Sequence, residues 1–275
     1  MKTIVLTLVA SLTLSCSYGA TRELVKQWET EPALKTPESV LYDATAKVLY
    51  VSNIDGREPW GKDGKGSIGK VGLDGHIIAA EWVTGLEAPK GLGLHAGKLY
   101  VADLDQVVVI DVASAKIERR IAVPTAKKLN DVTVDAQGVV YVSDSETGNV
   151  HAIREGKASE WLTGFRGVNG VLATRDSFYV LDDGRLFQIG KDGSRTQLVD
   201  GLVGHTDGIE QVADGEFIVS CWRGKIFSVR GGEKQLLVDS ESSKIEAADI
   251  GYDPVKKIVY VPTFFTNTVV AYQLK

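Results

Sequence analysis

The sequence predicts an all-β fold, a six-bladed β-propeller with four antiparallel strands in each blade. Six short segments rich in apolar and β-branched residues recur along the chain, with starts 52, 40, 39, 38 and 41 residues apart. A repeat of about forty residues that consists only of short strands and turns is typical of propeller blades. The segments begin at Glu38, Lys90, Asn130, Asn169, Asp207 and Ala248, which we call the axial positions.

Each of these inner strands is followed by a short turn and a second apolar run, as expected for a β-hairpin. A third strand and an outer strand then complete each repeat, for example Ser67–Val71 and Glu81–Gly85 in the first. The second strands end at what we call the strand-end positions, Asn53, Asp103, Asp144, Asp182, Cys221 and Thr263.

The sixth repeat lacks an outer strand of its own. The chain ends at Val269–Gln273, which fills only the third strand, whereas Glu23–Trp28 precedes the first repeat and resembles the recurring outer strand. We therefore predict that Glu23–Trp28 pairs with Val269–Leu274, so that the N-terminal strand closes the ring and leaves no long strand edge exposed.

The first twenty residues have the pattern of a signal peptide. Lys2 supplies a positive charge, residues 4–14 are apolar, and small residues follow at cleavage spacing. The apolar run is too short to span a bilayer, so no transmembrane segment is predicted. We expect residues 1–20 to be removed and residues 21–275 to form one propeller domain in a periplasmic or secreted protein. The alternative is a lipoprotein leader with lipid anchoring at Cys16, although Thr13 stands where such leaders usually have Leu.

Composition narrows the classes of partner. The formal net charge is −5 and no basic stripe is visible, which argues against nucleic-acid binding. Without the leader only Cys221 remains, so a disulfide within the mature chain is excluded. The sequence shows no apolar helix face of the kind that would suggest obligate assembly, so we expect a monomer. We expect its partner to be a small-molecule substrate.

The axial positions predict a cation site, because a propeller brings equivalent positions together around one axis. Glu38, Asn130, Asn169 and Asp207 offer oxygen donors, which hard cations prefer, and their two carboxylates match a divalent charge. The sequence has no Cys or His cluster, which argues against structural zinc. Ca²⁺ is the first choice, and Mg²⁺, Mn²⁺ or a weakly held Zn²⁺ stay open. The alternative is that these Asn and Asp residues only form turns, as such residue pairs commonly do.

Two further groups could contribute to a site at the same end of the ring. The loop Ile54–Gly66 is longer than its counterparts, so Arg57, Glu58 and Trp60 could contact a ligand, or the loop could be surface decoration. The strand-end aspartates could bind another ion or set charge preference, although a turn role is the stronger interpretation. Cys221 is expected to be a packed thiol, and Trp60 and Trp222 either form an aromatic wall or pack between blades.

Short motifs at these positions resemble the gluconolactonase / senescence-marker (regucalcin-like) family, within the six-bladed calcium-dependent lactonases, phosphotriesterases and paraoxonases. The resemblance covers essentially residues 25–275. It implies that Glu38, Asn130, Asn169 and Asp207 hold the catalytic cation and that Asp207 is the general base or nucleophile. The motifs are Pro37–Ser39, Leu129–Asp131, Val168–Gly170, Thr206–Gly208 and Cys221–Gly224.

The chain also departs from that family. Lys90 places a positive charge among the axial positions, where it could weaken cation binding or stabilise negative charge on a substrate. The arginine that binds sugar-acid substrates in sugar lactonases has no clear counterpart in this sequence, although Arg57 could substitute for it. His205, two residues before Asp207, could relay a proton near neutral pH, or it could be a solvated loop side chain.

These features together predict an exported metal-dependent hydrolase of the lactonase type, in which a central divalent cation polarises the carbonyl of a cyclic ester. Catalytic roles are predicted for Asp207, Lys90 and His205. The alternative is a non-catalytic propeller that binds a ligand or a protein and keeps a structural cation, because fold alone does not decide function.

Overall fold

A computed structural model describes residues 21–275 and shows six four-stranded antiparallel sheets arranged as the blades of a propeller. The predicted leader, with Cys16, lies outside the described residues. No helix within residues 21–275 has the length and apolar character needed to cross a membrane. The six-bladed all-β fold predicted from the repeat is confirmed.

The first three blades follow one another along the chain, each running from the axis outwards. Their strands are β2 (Pro37–Asp43), β3 (Val48–Asn53), β4 (Gly66–Gly72) and β5 (Ile77–Leu86); β6 (Pro89–His95), β7 (Lys98–Asp103), β8 (Gln106–Asp111) and β9 (Lys116–Ala122); and β10 (Leu129–Val134), β11 (Val140–Asp144), β12 (Asn149–Arg154) and β13 (Lys157–Leu162).

The remaining blades repeat this order, except that the last one takes its outer strand from the start of the chain. Their strands are β14 (Val168–Ala173), β15 (Phe178–Asp182), β16 (Arg185–Ile189) and β17 (Arg195–Val199); β18 (Thr206–Ala213), β19 (Glu216–Cys221), β20 (Lys225–Arg230) and β21 (Glu233–Asp239); and β22 (Gly251–Asp253), β23 (Ile258–Pro262), β24 (Val269–Leu274) and β1 (Leu24–Glu29). Single 3-10 turns lie at Glu241–Ser243 and Phe264–Thr266.

The ring closes through β1, as the sequence predicts. Leu24 pairs with Leu274 and Glu29 with Val270 in antiparallel register. Just before β1, Arg22 binds the buried carboxylate of Glu216 in blade 5 with two hydrogen bonds, at 2.5 and 2.8 Å. Arg22 and β1 are therefore bonded to blade 5 and to blade 6, respectively.

The apolar core lies between blades and not within a central layer. Tyr50 and Ile68 of blade 1 pack with Leu99 and Val101 of blade 2, and the same kind of contact recurs around the ring. Second and third strands are buried on both faces because each sheet is covered by its two neighbours. Burial of this apolar surface stabilises the ring and leaves the axis free for polar side chains.

The sixth blade differs from the sequence prediction. Its inner strand was expected to begin at Ala248 but begins at Gly251. The preceding segment bonds to two blades. Ala248 donates its N–H to Pro262 O of its own blade at 3.1 Å, whereas Asp249 donates its N–H to Glu38 O of blade 1 at 2.9 Å and accepts from Val40 N at 3.2 Å. This close approach requires Gly251, since a Cβ there would lie 2.4 Å from Val40 O.

Candidate functional site

A β-bulge begins the inner strand of each of the first five blades. The pairing register shifts between Pro37 and Ser39 in β2, and the same irregularity recurs in β6, β10, β14 and β18. A bulge changes the direction in which side chains leave a strand. The residues inside these irregularities include the first five axial positions, Glu38, Lys90, Asn130, Asn169 and Asp207.

All five of these residues line one cavity of about 230 Å³ on the axis, which we call the central cavity. Glu38 and Asp207 are each 4% exposed and Lys90 is 2% exposed, so the charged groups are taken almost completely out of water. His205 also lines this cavity, at its exposed edge. The structure thus brings together every residue for which the sequence predicts a metal-binding or catalytic role.

Within residues 21–275, two side-chain oxygen atoms of residues that line the central cavity have no hydrogen-bond partner. They are Oε2 of Glu38 and Oδ1 of Asn169, and both are buried. The amide of Asn169 is oriented by its other end, because Nδ2 donates to Asp207 Oδ1 at 3.0 Å. Buried polar atoms are nearly always paired, so each exception calls for an explanation such as an ion or a water molecule.

Asn130 is fixed in a similar way. Its Nδ2 donates to Ser145 Oγ at 3.0 Å, and that hydroxyl donates to Val168 O at 2.8 Å. With the amide nitrogens of Asn130 and Asn169 engaged by the protein, the amide oxygens are the groups left for a ligand.

The donor types fit a hard cation better than zinc. Two carboxylates and two amides are oxygen ligands of the kind that Ca²⁺ takes. Across residues 21–275, no cluster of three or more His, Cys, Asp or Glu side chains has the arrangement of a metal site. A cation held at the axial positions would therefore depend on the two amides as much as on the two carboxylates.

Burial dominates the electrostatics of the central cavity. It raises the pKa of Asp207 to about 8, with a further contribution from Asp249, while Lys90 and the hydrogen bond from Asn169 act in the opposite direction. Burial also raises the pKa of Glu38 well above its usual range, against the attraction of Lys90. The pKa of Lys90 is lowered by burial, although Glu38 and Asp207 favour its charged form. The cavity thus disfavours isolated carboxylates, and an added positive charge would favour their ionised forms.

The long loop contributes an aromatic ring to this cavity. Pro59 and Trp60 line it, and the Trp60 ring lies 4.5 Å from Lys90 Nζ, measured to the ring centroid. Arg57 and Glu58 are exposed and do not line the central cavity. A ligand contact by these two residues, and a role of Arg57 in place of the sugar-lactonase arginine, therefore stay predictions that the lining of this cavity does not support.

The strand-end positions have a structural role. Their side chains accept hydrogen bonds from backbone N–H groups of the loop that leads into an inner strand: Asn53 from Lys35, Asp103 from Glu87 and Ala88, Asp144 from Lys127 and Lys128, and Asp182 from Arg166 and Gly167. The turn interpretation accounts for these side chains. Cys221 is fully buried, and burial raises the pKa of its thiol to about 12, as expected for a packed residue.

Sequence reasoning missed a second level of polar residues, one position after the axial ones. Asp131 accepts from Val132 N at 2.6 Å and from Val171 N at 2.7 Å, and Asp249 accepts from Ser39 Oγ at 2.5 Å. Burial raises the pKa of Asp249 to about 7. These residues line a cavity of about 410 Å³ whose lining continues along the inner strands, away from the central cavity.

A usable signal for this level was present in the sequence. The residues that follow the axial positions are Ser39, Gly91, Asp131, Gly170, Gly208 and Asp249. A Cβ on Gly170 would lie 2.4 Å from Asp207 O, so the approach of β14 to the next inner strand requires glycine at this position. Glycine at three of these positions therefore indicated close packing at the axis.

Comparisons with known proteins bear on the fold. A streptogramin B lyase structure superposes with a TM-score of 0.67 at 11% identity, covering 93% of this chain and 98% of that one. A catalytically inactive virginiamycin B lyase from Staphylococcus aureus, solved with quinupristin, gives 0.63 at 13% identity, covering 92% of this chain and 99% of that one. A nidogen/laminin complex gives 0.62 at 16% identity, covering 79% and 84%.

At these identities the likeness extends to the propeller fold alone. No protein-family model matches the chain, and a search of curated proteins finds no match either. The function must therefore be argued from the site.

Proposed function

We propose that this protein is a divalent-cation-dependent hydrolase of the lactonase type, with Glu38, Asn130, Asn169 and Asp207 as the cation ligands and Ca²⁺ as the first-choice ion. The observation that carries the proposal is the pair of buried oxygens without partners, Glu38 Oε2 and Asn169 Oδ1, in one cavity. When bound, such a cation would polarise the carbonyl group of a cyclic ester.

Asp207 is the group that takes a proton from the attacking water. Its carboxyl group is 4% exposed and is oriented by Asn169 Nδ2 at 3.0 Å. Without a cation, burial raises the pKa of this carboxyl group, and a bound cation would lower it again. Positive charge in the cavity keeps enough of it ionised to act near neutral pH.

Lys90 and His205 have supporting roles in this proposal. The buried ammonium of Lys90 stabilises negative charge that develops on the substrate oxygen. His205 lies at the exposed edge of the cavity, where it can pass a proton to solvent. It adopts a left-handed backbone conformation, with φ of 63°, which is uncommon for residues other than glycine.

The first test combines metal content with catalysis. The purified protein should contain a divalent cation after dialysis against Ca²⁺ and should release acid from at least one lactone in a pH-indicator panel of aldonolactones, acyl-homoserine lactones and aryl esters. Asp207→Asn should lower the rate of acid release by roughly a thousandfold. Two of the similar folds belong to lyases, so product analysis is needed to distinguish hydrolysis from a lyase reaction. It should show that water has been added across the ester.

A binding propeller is the alternative function, and the buried charge of Lys90 among the axial positions favours it. One of the similar folds occurs in a nidogen/laminin complex. Bound cation without acid release from any member of the panel would replace the hydrolase proposal with this one. Absence of any bound cation would contradict the proposed site itself.

A further inference from the structure

The lining of the central cavity divides into two chemically different parts. One part consists of the five polar axial residues and His205, and the other consists of Pro59, Trp60, Trp222 and Phe264. The sixth axial position, Ala248, belongs to an apolar cluster with Phe264, to which Trp222 also packs. We call Trp60, Trp222 and Phe264 the aromatic wall.

Contacts between aromatic rings, and between a ring and ammonium groups, hold the aromatic wall in place. Trp222 and Phe264 meet edge to face, with ring centroids 5.6 Å apart and planes at 85°. Phe265 meets Phe264 in the same way at 4.7 Å and 89°. Trp60 lies near two ammonium groups, with Lys90 Nζ at 4.5 Å and Lys128 Nζ at 5.8 Å from its ring centroid. Rings that are fixed before a ligand arrives lose little entropy on binding.

Phe264 adopts an unfavourable backbone conformation. Its φ is 48°, in the left-handed region that bulky residues rarely occupy, and its ring is 3% exposed. Strained residues of this kind concentrate at functional sites, where the surrounding structure maintains them. Here the conformation presents a large apolar ring to the cavity and to Trp222.

This lining discriminates against polyhydroxylated ligands. Hydroxyl groups placed against the aromatic wall would lose hydrogen bonds to water and gain none in return. No arginine of the described chain lines the cavity to bind a sugar acid. An apolar substituent would instead exchange water for aromatic surface, which is favourable.

We propose that the substrate is a lactone that bears an apolar alkyl, acyl or aryl substituent, an inference that rests on the proposed hydrolase function. The ring carbonyl lies at the polar axial residues and the substituent packs on the aromatic wall. Water adds to the carbonyl carbon, the ring C–O bond breaks, and the ring oxygen leaves as the hydroxyl group of a hydroxy acid.

Binding of lactams tests the substrate class without catalysis, because a γ-lactam has the shape of the lactone and resists hydrolysis. Calorimetry on the Ca²⁺-equilibrated protein should show a hexyl-substituted γ-lactam binding roughly tenfold to a hundredfold more tightly than unsubstituted or dihydroxylated γ-lactam. Equal affinities, or a preference for the hydroxylated probe, would overturn the proposal.

Variants of the aromatic wall test whether it is the source of the preference for the hexyl-substituted γ-lactam. Trp222→Gln should remove most of it, and Trp222→Leu should keep much of it because the side chain remains apolar. Trp82→Gln is the matched control, since Trp82 packs on Tyr50 in blade 1 and does not line the cavity. Trp60→Gln, in the surface loop, gives a second wall variant if Trp222→Gln does not fold. Full preference in a folded wall variant would contradict the proposal.

Hydrolysis of γ-decalactone and δ-gluconolactone separates this inference from the proposed function. Equal hydrolysis of both, with no preference among the lactams, would overturn the apolar substrate class and leave the hydrolase intact. A clear lactam preference without hydrolysis of either lactone would support the apolar ligand class and reject the hydrolase.

Discussion

Asp144 and Asp207 are both buried aspartates at the same end of the ring, yet their surroundings have opposite effects on them. Burial alone would raise the pKa of Asp144, but the nearby His151 ring and backbone N–H groups lower it below its usual value. Asp207 receives only one hydrogen bond, from Asn169, and its pKa rises to about 8. A carboxylate whose hydrogen bonds are supplied by the backbone is structural, and one left largely unsupplied indicates a site for a ligand.

The same contrast separates the axial positions from the strand-end positions as groups. Four of the strand-end side chains repeat one function, which is to bind the loop that enters an inner strand: Asn53, Asp103, Asp144 and Asp182. The axial side chains repeat a position but not a residue type, and two of their oxygens have no partner. Of the two sets of positions, the axial positions are therefore the ones that indicate a functional site, because equivalent bulges there carry different residue types.

The largest expected difference between the groups is in catalysis. Asp207→Asn should lower the rate of acid release by roughly a thousandfold, because it removes the base and a cation ligand. Its melting temperature in the presence of a chelator should not fall, since a poorly solvated carboxyl group is replaced by a neutral one. Asp182→Asn is the matched control and should keep its rate per folded molecule. A similar loss of rate in both variants would remove the distinction.

Stability should show the reverse order. Asp144→Ala removes the acceptor for N–H groups of Lys127, Lys128, Glu146 and Thr147, and should lower the free energy of unfolding by about 2 to 4 kcal/mol. Denaturant titration measures this change. Activity per folded molecule should stay within about twofold of the unmodified protein, as expected for a change outside the chemistry. A stability change below that of Asp207→Asn would contradict the assignment.

Glu216 extends the comparison to the closure of the ring. The Glu216 side chain is 2% exposed, and its carboxylate is paired with Arg22. This pairing lowers the pKa of Glu216. Because the pKa of Glu216 is lower in the folded than in the unfolded state, the ion pair stabilises the fold fully at pH values above the pKa of the unfolded state. This stabilisation is lost as the pH falls through the pKa of the folded state. Glu216→Gln should therefore cost about 1 kcal/mol at neutral pH and much less in acid. A cost that is independent of pH would show that the ion pair is not its source.

The smallest expected effect concerns His205. Because this imidazole is exposed, water can replace it as a proton carrier, so His205→Gln should lower the rate of acid release less than about tenfold. The pH–rate profile provides the measurement. A loss as large as that of Asp207→Asn would place His205 in direct contact with the reaction.

Much of the architecture was predictable because a repeat near the length of one blade constrains strand order, ring closure and the axial positions together. The prediction failed where one blade depends on another, as in the segment Ala248–Asp249, which bonds to its own blade through Ala248 and to blade 1 through Asp249. It also missed Asp131 and Asp249. Glycine at the equivalent positions of three other blades indicated close packing at this level, but the hydrogen-bond partners of the two carboxylates follow only from the assembled strands. Strand-end Asp residues look the same in sequence whether they bind backbone or ions, and only the hydrogen bonds distinguish the two.

A crystal structure with Ca²⁺, or with Mn²⁺ for its anomalous signal, tests the central claim most directly. The account predicts one ion bonded to Glu38 Oε2 and Asn169 Oδ1 at about 2.4 Å, with Asn130 and Asp207 completing the protein ligands. An empty cavity at high cation concentration, with Lys90 Nζ bonded to those two oxygens instead, would contradict it.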